Sequence, residues 1–290
     1  METGAGSGSL RMARTGLLLV WFTSLLFAQN ALDRNACAPA PGNHENLNAI
    51  LWMRSSLEYR HGAIQAYRLA ERMLLEALRD PDWTAALEQS PGYRNLPPAV
   101  ILDIDETVLD NSLSEVEYMQ RGTGAFTEKG WEEWVNRAEA PLIPGAADFL
   151  KLVEAKGVEA FYVTNREKAQ KPKTMENLRN LGLPFADEEH VLLAREQPDW
   201  PSDKTSRRRF LANRYRILLL VGDDAGDFLG GVRSAIADRE AAMAPHESYL
   251  GTRWIVLPNP AYGSWENAIS GGRPAPSREA ALKDKCRLLP

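Results

Sequence analysis

The sequence predicts an α/β fold, a doubly wound, mainly parallel sheet with a small helical cap, and three observations lead to it. Short apolar runs typical of buried strands alternate with helical patterns. Several of these runs end in polar residues, as strands do at the carboxyl edge of an open parallel sheet. The segment 113–140, which follows the first run, is long for a plain connection and is the expected cap insertion.

The composition is that of a globular protein. Of 290 residues, 44% are hydrophobic and 25% are charged, enough for one α/β domain and an accessory part. The formal net charge of −5 gives no long-range attraction for nucleic acid. A nucleic-acid polymer is therefore not an expected partner.

Residues 1–36 are predicted to be an export signal and linker, followed by the functional domain at 37–290. Arg11 and Arg14 precede an apolar run at 16–28, the arrangement of a secretory signal. This run is shorter than the roughly 20 residues that a membrane-spanning helix needs. We therefore expect an exported protein.

The two cysteines, Cys37 and Cys286, lie near opposite ends of the exported chain. Cys37 could carry a lipid anchor, although Arg34 stands where lipid attachment normally has a Leu-like residue. A disulfide to Cys286 is the alternative in an oxidising compartment, and a free thiol is the third. The sequence leaves these three open, and it leaves the oligomeric state open as well.

The helical and strand patterns follow one another in order along the chain. Apolar residues at three- and four-residue steps predict one long helix or two over 46–79. Further helices are predicted at 146–155, 174–181 and 205–214, and strands at 99–102, 158–163, 190–193, 217–221 and 254–257. The tail beyond about residue 267 is predicted to be irregular.

Two acids, Asp103 and Asp105, directly follow the first predicted strand. If the strand geometry continues, both side chains leave the backbone on the same side, and two like charges this close need a cation or a shared proton. Mg²⁺ prefers oxygen ligands of this kind. These residues are therefore candidate metal ligands at the carboxyl edge of the sheet.

Polar residues also follow two later strands. Thr164, Asn165 and Arg166 come after the second strand, where a hydroxyl can donate to a phosphoryl oxygen. The run at 217–221 ends in G-D-D-A-G-D, and its acids Asp223 and Asp227 can complete an oxygen site with the first pair.

Lys204 is the candidate cation of the site, because it precedes a helix whose start faces the carboxyl edge. Lys168, Lys171 and Lys173 compete for this role, and they are predicted to lie on an outer helix. The three arginines at 207–209 are interpreted as a solvated helix face rather than a binding patch.

The run D-I-D-E-T-V-L-D-N-S at 103–112, with the later motifs at Thr164, Lys204 and Asp223, resembles the four motifs of the haloacid dehalogenase (HAD) superfamily. That run and the string P-N-P-A-Y-G-S-W-E at 258–266 look like the class C bacterial acid phosphatases, the lipoprotein 5′-nucleotidase family. The resemblance covers the chain from 46 to about 267. With the export signal, it implies a protein that lies in the bacterial periplasm or is tethered to the outer membrane.

The resemblance implies a reaction and a metal ion. Asp103 would attack phosphorus, and Asp105 would give a proton to the leaving group and then take one from water. Mg²⁺ would be bound by Asp103, by the carbonyl of Asp105 and by Asp223. Asp227 would orient the lysine or a metal-bound water. The halide-removing relatives do without this metal set, so dehalogenation is disfavoured.

The resemblance also implies which residues bind the substrate. Thr164 and Lys204 would hold the phosphoryl oxygens, with Asn165 and Arg166 beside the substrate. In the 5′-nucleotidase relatives an aromatic at the position of Tyr262 stacks on the base. The alternative for this tyrosine is that it packs the cap against the core.

The expected function is that of a Mg²⁺-dependent acid phosphatase. Its substrates would be phosphate monoesters, including nucleoside 5′-monophosphates, hydrolysed through an aspartyl-phosphate at an acidic pH optimum. Two alternatives remain at this stage: a phosphotransferase that uses the same site, and a non-catalytic binding or storage protein on a phosphatase scaffold.

Overall fold

The computed structural model describes Met1 and residues 46–121 and 126–288. The predicted export signal, the linker and Cys37 lie outside these residues, as does any lipid or disulfide at Cys37. Within the described part of the chain, no helix has the length and apolar character that a membrane crossing requires. The described residues from 46 to 288 belong to one compact unit.

Five parallel strands form the sheet, in the order β3-β2-β1-β4-β5. They are β1 (Pro98–Leu102), β2 (Glu159–Glu167), β3 (Val191–Ala194), β4 (Arg216–Gly222) and β5 (Trp254–Val256). The chain order reverses between β1 and β4. In open α/β sheets this reversal opens a crevice beyond the carboxyl ends of the strands, where ligands bind.

The sheet is covered on both faces, as its apolar strands require. Along β1, Val100 and Leu102 pack into one core cluster, whereas Ala99 and Ile101 pack into the other. This alternation follows the two-residue period of a strand. The predicted α/β class with a parallel, doubly wound sheet is confirmed.

Ten helices accompany the strands in the described residues. They are α1 (Leu47–Ser55), α2 (Leu57–Ala77), α3 (Ser112–Gln120), α4 (Glu128–Arg137), α5 (Ala146–Ala155), α6 (Lys171–Asn180), α7 (Thr205–Ala212), α8 (Ile236–Met243), α9 (Ser264–Ile269) and α10 (Arg278–Arg287). The pattern at 46–79 is therefore two helices. Ser56 separates them, because its side chain accepts from the backbone N–H of Tyr59 and caps α2. The predicted cap insertion contains α3 and α4.

The prediction of an irregular tail was wrong, because residues 278–287 form α10. Polar contacts tie this helix to the preceding segment: Lys285 Nζ lies 2.7 Å from Glu266 Oε1, and Ser270 donates to Asp284 at 2.9 Å. Polar pairs rather than an apolar face hold α10, so its sequence shows no apolar stripe at helical spacing.

The interpretation of 207–209 as a solvated face was wrong for two of the three arginines. Arg207 and Arg208 are fully buried, and only Arg209 is exposed. Arg208 pairs with Glu88 at 2.8 Å, and Arg207 donates to the carbonyl of Thr164. These partners are distant in the sequence, so the pattern of one helix could not reveal them.

Candidate active site

Four charged side chains, from here called the site floor, meet at the carboxyl ends of β1 and β4: Asp103, Lys204, Asp223 and Asp227. Asp103 follows β1, and the two later acids follow β4. Lys204 Nζ lies 2.6 Å from Asp103 Oδ1 and 2.7 Å from Asp227 Oδ1. Lys204 is thus the lysine that contacts the first acid. Its competitor Lys171 is buried, contrary to the outer position predicted, and pairs with Glu196 at 2.7 Å.

Burial and like charge set the electrostatics of the site floor. Burial raises the pKa of Asp103 to about 7, against the lowering effect of Lys204. Burial, reinforced by Asp227 and Asp103, raises the pKa of Asp223 well above its usual range. Burial alone would lower the pKa of Lys204, but the two adjacent carboxylates outweigh it and the pKa is raised. The lysine therefore stays charged.

The three acids of the site floor fit a hard divalent cation. Asp103, Asp223 and Asp227 each offer one carboxylate oxygen, and these atoms lie within 4.8 Å of one another. One lysine faces three carboxylates, so the buried site carries excess negative charge when they are ionised. Oxygen-only ligands of this kind suit Mg²⁺ or a similar ion.

The carboxylate of Asp105 has a different set of partners. Arg166 donates to it from Nε (3.1 and 3.2 Å) and from Nη2 (2.8 Å), which makes a forked ion pair. Asn111 donates to Asp105 at 2.9 Å and accepts from Trp134 of α4 at 2.7 Å. The side chain of Asp105 is therefore held on the cap side of the site, outside the three-carboxylate cluster.

The second-strand motif lies beside this ion pair. Thr164 donates to Asp105 at 3.3 Å, and Arg166 also bonds to Thr174 and lies 5.4 Å from the ring centre of Trp131. Asn165 accepts from Arg207 at 2.7 Å and lines the cavity. The guanidinium of Arg166, predicted to lie on the substrate side, is thus occupied by Asp105.

Several supporting residues were missed from the sequence. Thr107 and Asn259 donate to opposite oxygens of Asp223, at 3.1 and 2.8 Å. Asp224, which had no predicted role, accepts from the backbone and hydroxyl of Ser264 at 2.6 and 2.7 Å. The sequence did contain a signal for them, since all of these residues lie within the motif runs that follow β1, β4 and β5. Their side-chain partners become visible only in three dimensions.

A cavity of about 790 Å³ opens above the site floor. Its outer part carries aromatic and apolar side chains, among them Tyr262 and, from the cap, Phe126 and Trp131. Glu115 also lines it, and burial raises the pKa of this carboxyl to about 7. Tyr118, another aromatic residue of the cap, is buried and does not line the cavity.

The family follows from a comparison with known sequences. Residues 24–265 match the family model described as HAD superfamily, subfamily IIIB (acid phosphatase). The chain belongs to this family. The suspected relationship and the phosphatase class that it implies are confirmed, and dehalogenation is not expected of an acid phosphatase family.

Solved structures agree with the family. The class C acid phosphatase from Bacillus anthracis is 33% identical, with a TM-score of 0.74 over 84% of this chain and 96% of that one. A structure of the B. anthracis enzyme with tungstate bound is 32% identical, with a TM-score of 0.73 and the same coverage.

More distant relatives occur in plants. Acid phosphatase 1 from Solanum lycopersicum is 27% identical over 167 residues, which is 56% of this chain and 57% of the relative. The stem 28 kDa glycoprotein from Glycine max is 27% identical over 169 residues, 56% of this chain and 58% of the relative. The match thus spans little more than half of each plant protein.

Proposed function

We propose that this chain is a Mg²⁺-dependent acid phosphatase that hydrolyses phosphate monoesters through an aspartyl-phosphate on Asp103. The position of Asp103 carries the proposal, because it follows β1 at the base of the cavity and contacts Lys204. Membership of subfamily IIIB supports the reaction class. The tungstate complex of the B. anthracis enzyme supports an oxyanion ligand, since tungstate is tetrahedral like phosphate.

Each group of the site floor has a part in binding. Mg²⁺ held by Asp103, Asp223 and the carbonyl of Asp105 would supply the positive charge that offsets repulsion between the nucleophile and the phosphoryl group. Asp227 keeps Lys204 charged and oriented through its 2.7 Å contact. Lys204 and the hydroxyl of Thr164 then bind phosphoryl oxygens.

The reaction proceeds in two steps on these residues. A carboxylate oxygen of Asp103 bonds to phosphorus as the bond to the leaving oxygen breaks, and Asp105 donates its proton to that oxygen. Asp105 then takes a proton from water, which attacks phosphorus and releases Asp103 and inorganic phosphate. Because Asp105 must begin protonated, the optimum pH is acidic.

The proposed substrates include nucleoside 5′-monophosphates. Tyr262 lines the cavity that opens above the site floor, and its ring can stack on a base without selecting one. Trp265 does not line the cavity and donates to the carbonyl of Tyr262 at 3.0 Å. The cavity volume of about 790 Å³ leaves room for a nucleoside beside the phosphoryl group.

Export remains part of the proposal and rests on the sequence at 11–28. The protein is expected outside the cytoplasm, with an amino terminus beyond residue 28. Mass spectrometry of the mature protein tests this. A diacylglyceryl adduct at Cys37 would establish a lipoprotein, and an intact Met1 or Met12 terminus on cytoplasmic protein would contradict export.

A panel of phosphate monoesters tests the activity. The full chain is treated with a chelator and assayed for phosphate release with and without added Mg²⁺. Turnover of para-nitrophenyl phosphate and nucleoside 5′-monophosphates only with Mg²⁺ is expected. Binding of the esters without release of phosphate would instead indicate a non-catalytic scaffold. Phosphorylation of an added nucleoside would indicate a phosphotransferase.

A further inference from the structure

The cavity has a wall that lies beyond the residues matched by the family. That match ends at residue 265. The chain after it, here called the C-terminal segment (266–285), nevertheless lines the same cavity as the site floor. Its apolar lining residues are Ile269, Pro274, Ala275 and Ala281, and its polar lining residues are Glu266, Asn267, Ser270, Ser277 and Lys285.

The C-terminal segment is tied together internally and packs closely against the rest of the domain at one turn. Lys285 pairs with Glu266 at 2.7 Å, which ties α10 back to α9. At the intervening turn, Gly272 has φ +89°, and a Cβ there would lie 2.5 Å from Cα of Ser234. Only glycine permits this close approach. The segment is therefore a built part of the cavity.

We propose that the C-terminal segment forms the outer wall of the leaving-group site and limits which leaving groups fit. This inference rests on the proposed function. Phosphorus must lie next to Asp103, so the part of the cavity lined by the C-terminal segment receives the leaving group. Aliphatic carbons line that part together with polar side chains, and this mixture suits a nucleoside, which has a flat base and a ribose with hydroxyl groups.

Ala281 gives the sharpest test, because it lines the cavity and its helix neighbour Ala280 does not. Ala281→Trp should fill the leaving-group site, whereas Ala280→Trp places the same ring on the same helix outside it. Ala275→Trp should repeat the effect of Ala281→Trp from the turn before α10. Ethyl phosphate serves as the ester with a small leaving group, and adenosine 5′-monophosphate as the large one.

The expected result is selective. Ala281→Trp and Ala275→Trp raise KM for adenosine 5′-monophosphate about tenfold and leave the hydrolysis of ethyl phosphate unchanged, while Ala280→Trp changes neither. Calorimetric titration with adenosine 5′-monophosphate in the presence of a chelator should show the same tenfold loss of affinity in these two variants, without any turnover.

Three outcomes would overturn the inference. The first is an equal loss on both esters in Ala281→Trp, the second is an unchanged affinity for adenosine 5′-monophosphate in both cavity variants, and the third is failure of the unmodified chain to bind adenosine 5′-monophosphate. A chain that hydrolyses neither ester would refute the proposed function alone, because the titration still compares the variants.

Discussion

The floor of the cavity and its walls are held together by different interactions. The site floor is a buried cluster of charges, in which Lys204 contacts Asp103 and Asp227 at 2.6 and 2.7 Å. The walls combine aromatic and apolar side chains with polar ones, mainly from the cap and the C-terminal segment. The difference assigns the chemistry to the floor and the choice of leaving group to the walls. Floor variants should change kcat, and wall variants should change KM.

Asp103→Asn should have the largest effect, because it removes the proposed nucleophile without changing the size of the side chain. We expect kcat for para-nitrophenyl phosphate to fall by at least about a thousandfold. Asp105→Asn is the matched variant, and it should retain some phosphoenzyme formation with activated leaving groups. Wild-type turnover by Asp103→Asn would show that the floor does not carry the chemistry.

Arg166→Gln tests the ion pair that holds Asp105 on the cap side of the site. Loss of the forked ion pair should free Asp105 and lower kcat by about ten- to a hundredfold for alkyl esters, whose leaving groups need a proton. Para-nitrophenyl phosphate should lose much less, because its leaving group needs little protonation. Arg179→Gln is the control, because Arg179 bonds to the carbonyl of Ala186 and does not line the cavity. Equal losses on both substrates would mean that Arg166 only supports packing.

Tyr262→Ala tests the wall and should be milder. KM for nucleoside 5′-monophosphates should rise about tenfold, which corresponds to about 1.4 kcal/mol of lost stacking, with little change for para-nitrophenyl phosphate. Trp265→Ala serves as the control, because Trp265 does not line the cavity. If both substrates suffer equally, Tyr262 packs the cap rather than stacking on the base.

The stability of the metal-free protein should depend on pH. Folding raises the pKa of Asp103 to about 7, so between about pH 4 and pH 7 the folded state holds a proton that the unfolded state has lost. This contribution to stability is present at low pH and is lost as pH rises, by at most about 1.4 kcal/mol per pH unit.

Thermal melts measure this effect directly. In chelator, Tm should fall as pH rises through this window, and Mg²⁺ should restore more stability at pH 7 than at pH 4.5. Asp103→Asn should flatten the slope. A metal-free Tm that rises with pH, equally in both proteins, would contradict the assignment of the raised pKa to this carboxyl.

Much of the fold and of the floor could be predicted from the sequence. An apolar strand followed at once by polar residues is a local pattern, and parallel strands bring such ends to one edge. Asp103, Thr164 and Asp223 follow strands in this way. Lys204 could be chosen over its competitors because it begins a helix at the same edge.

The rest depends on contacts between distant residues. In the sequence, Arg207 and Arg208 have the pattern of solvated charges. Their partners, the carbonyl of Thr164 and the carboxylate of Glu88, lie 43 and 120 residues away in the sequence and become neighbours only in the fold. Helix α10 was missed because it is held by polar pairs and has no apolar stripe that a sequence pattern could show. The walls could not be predicted for the same reason, since their side chains meet only across the cavity.

The phosphoenzyme tests the central claim most directly. The chain is mixed with para-nitrophenyl phosphate and Mg²⁺, quenched in acid within the first turnover, and the peptide containing Asp103 is examined by mass spectrometry. The mass of one phosphoryl group on Asp103, absent in Asp103→Asn, is the expected result. A phosphoryl group on another residue, or turnover without any phosphoenzyme in Asp105→Asn, would contradict Asp103 as the nucleophile.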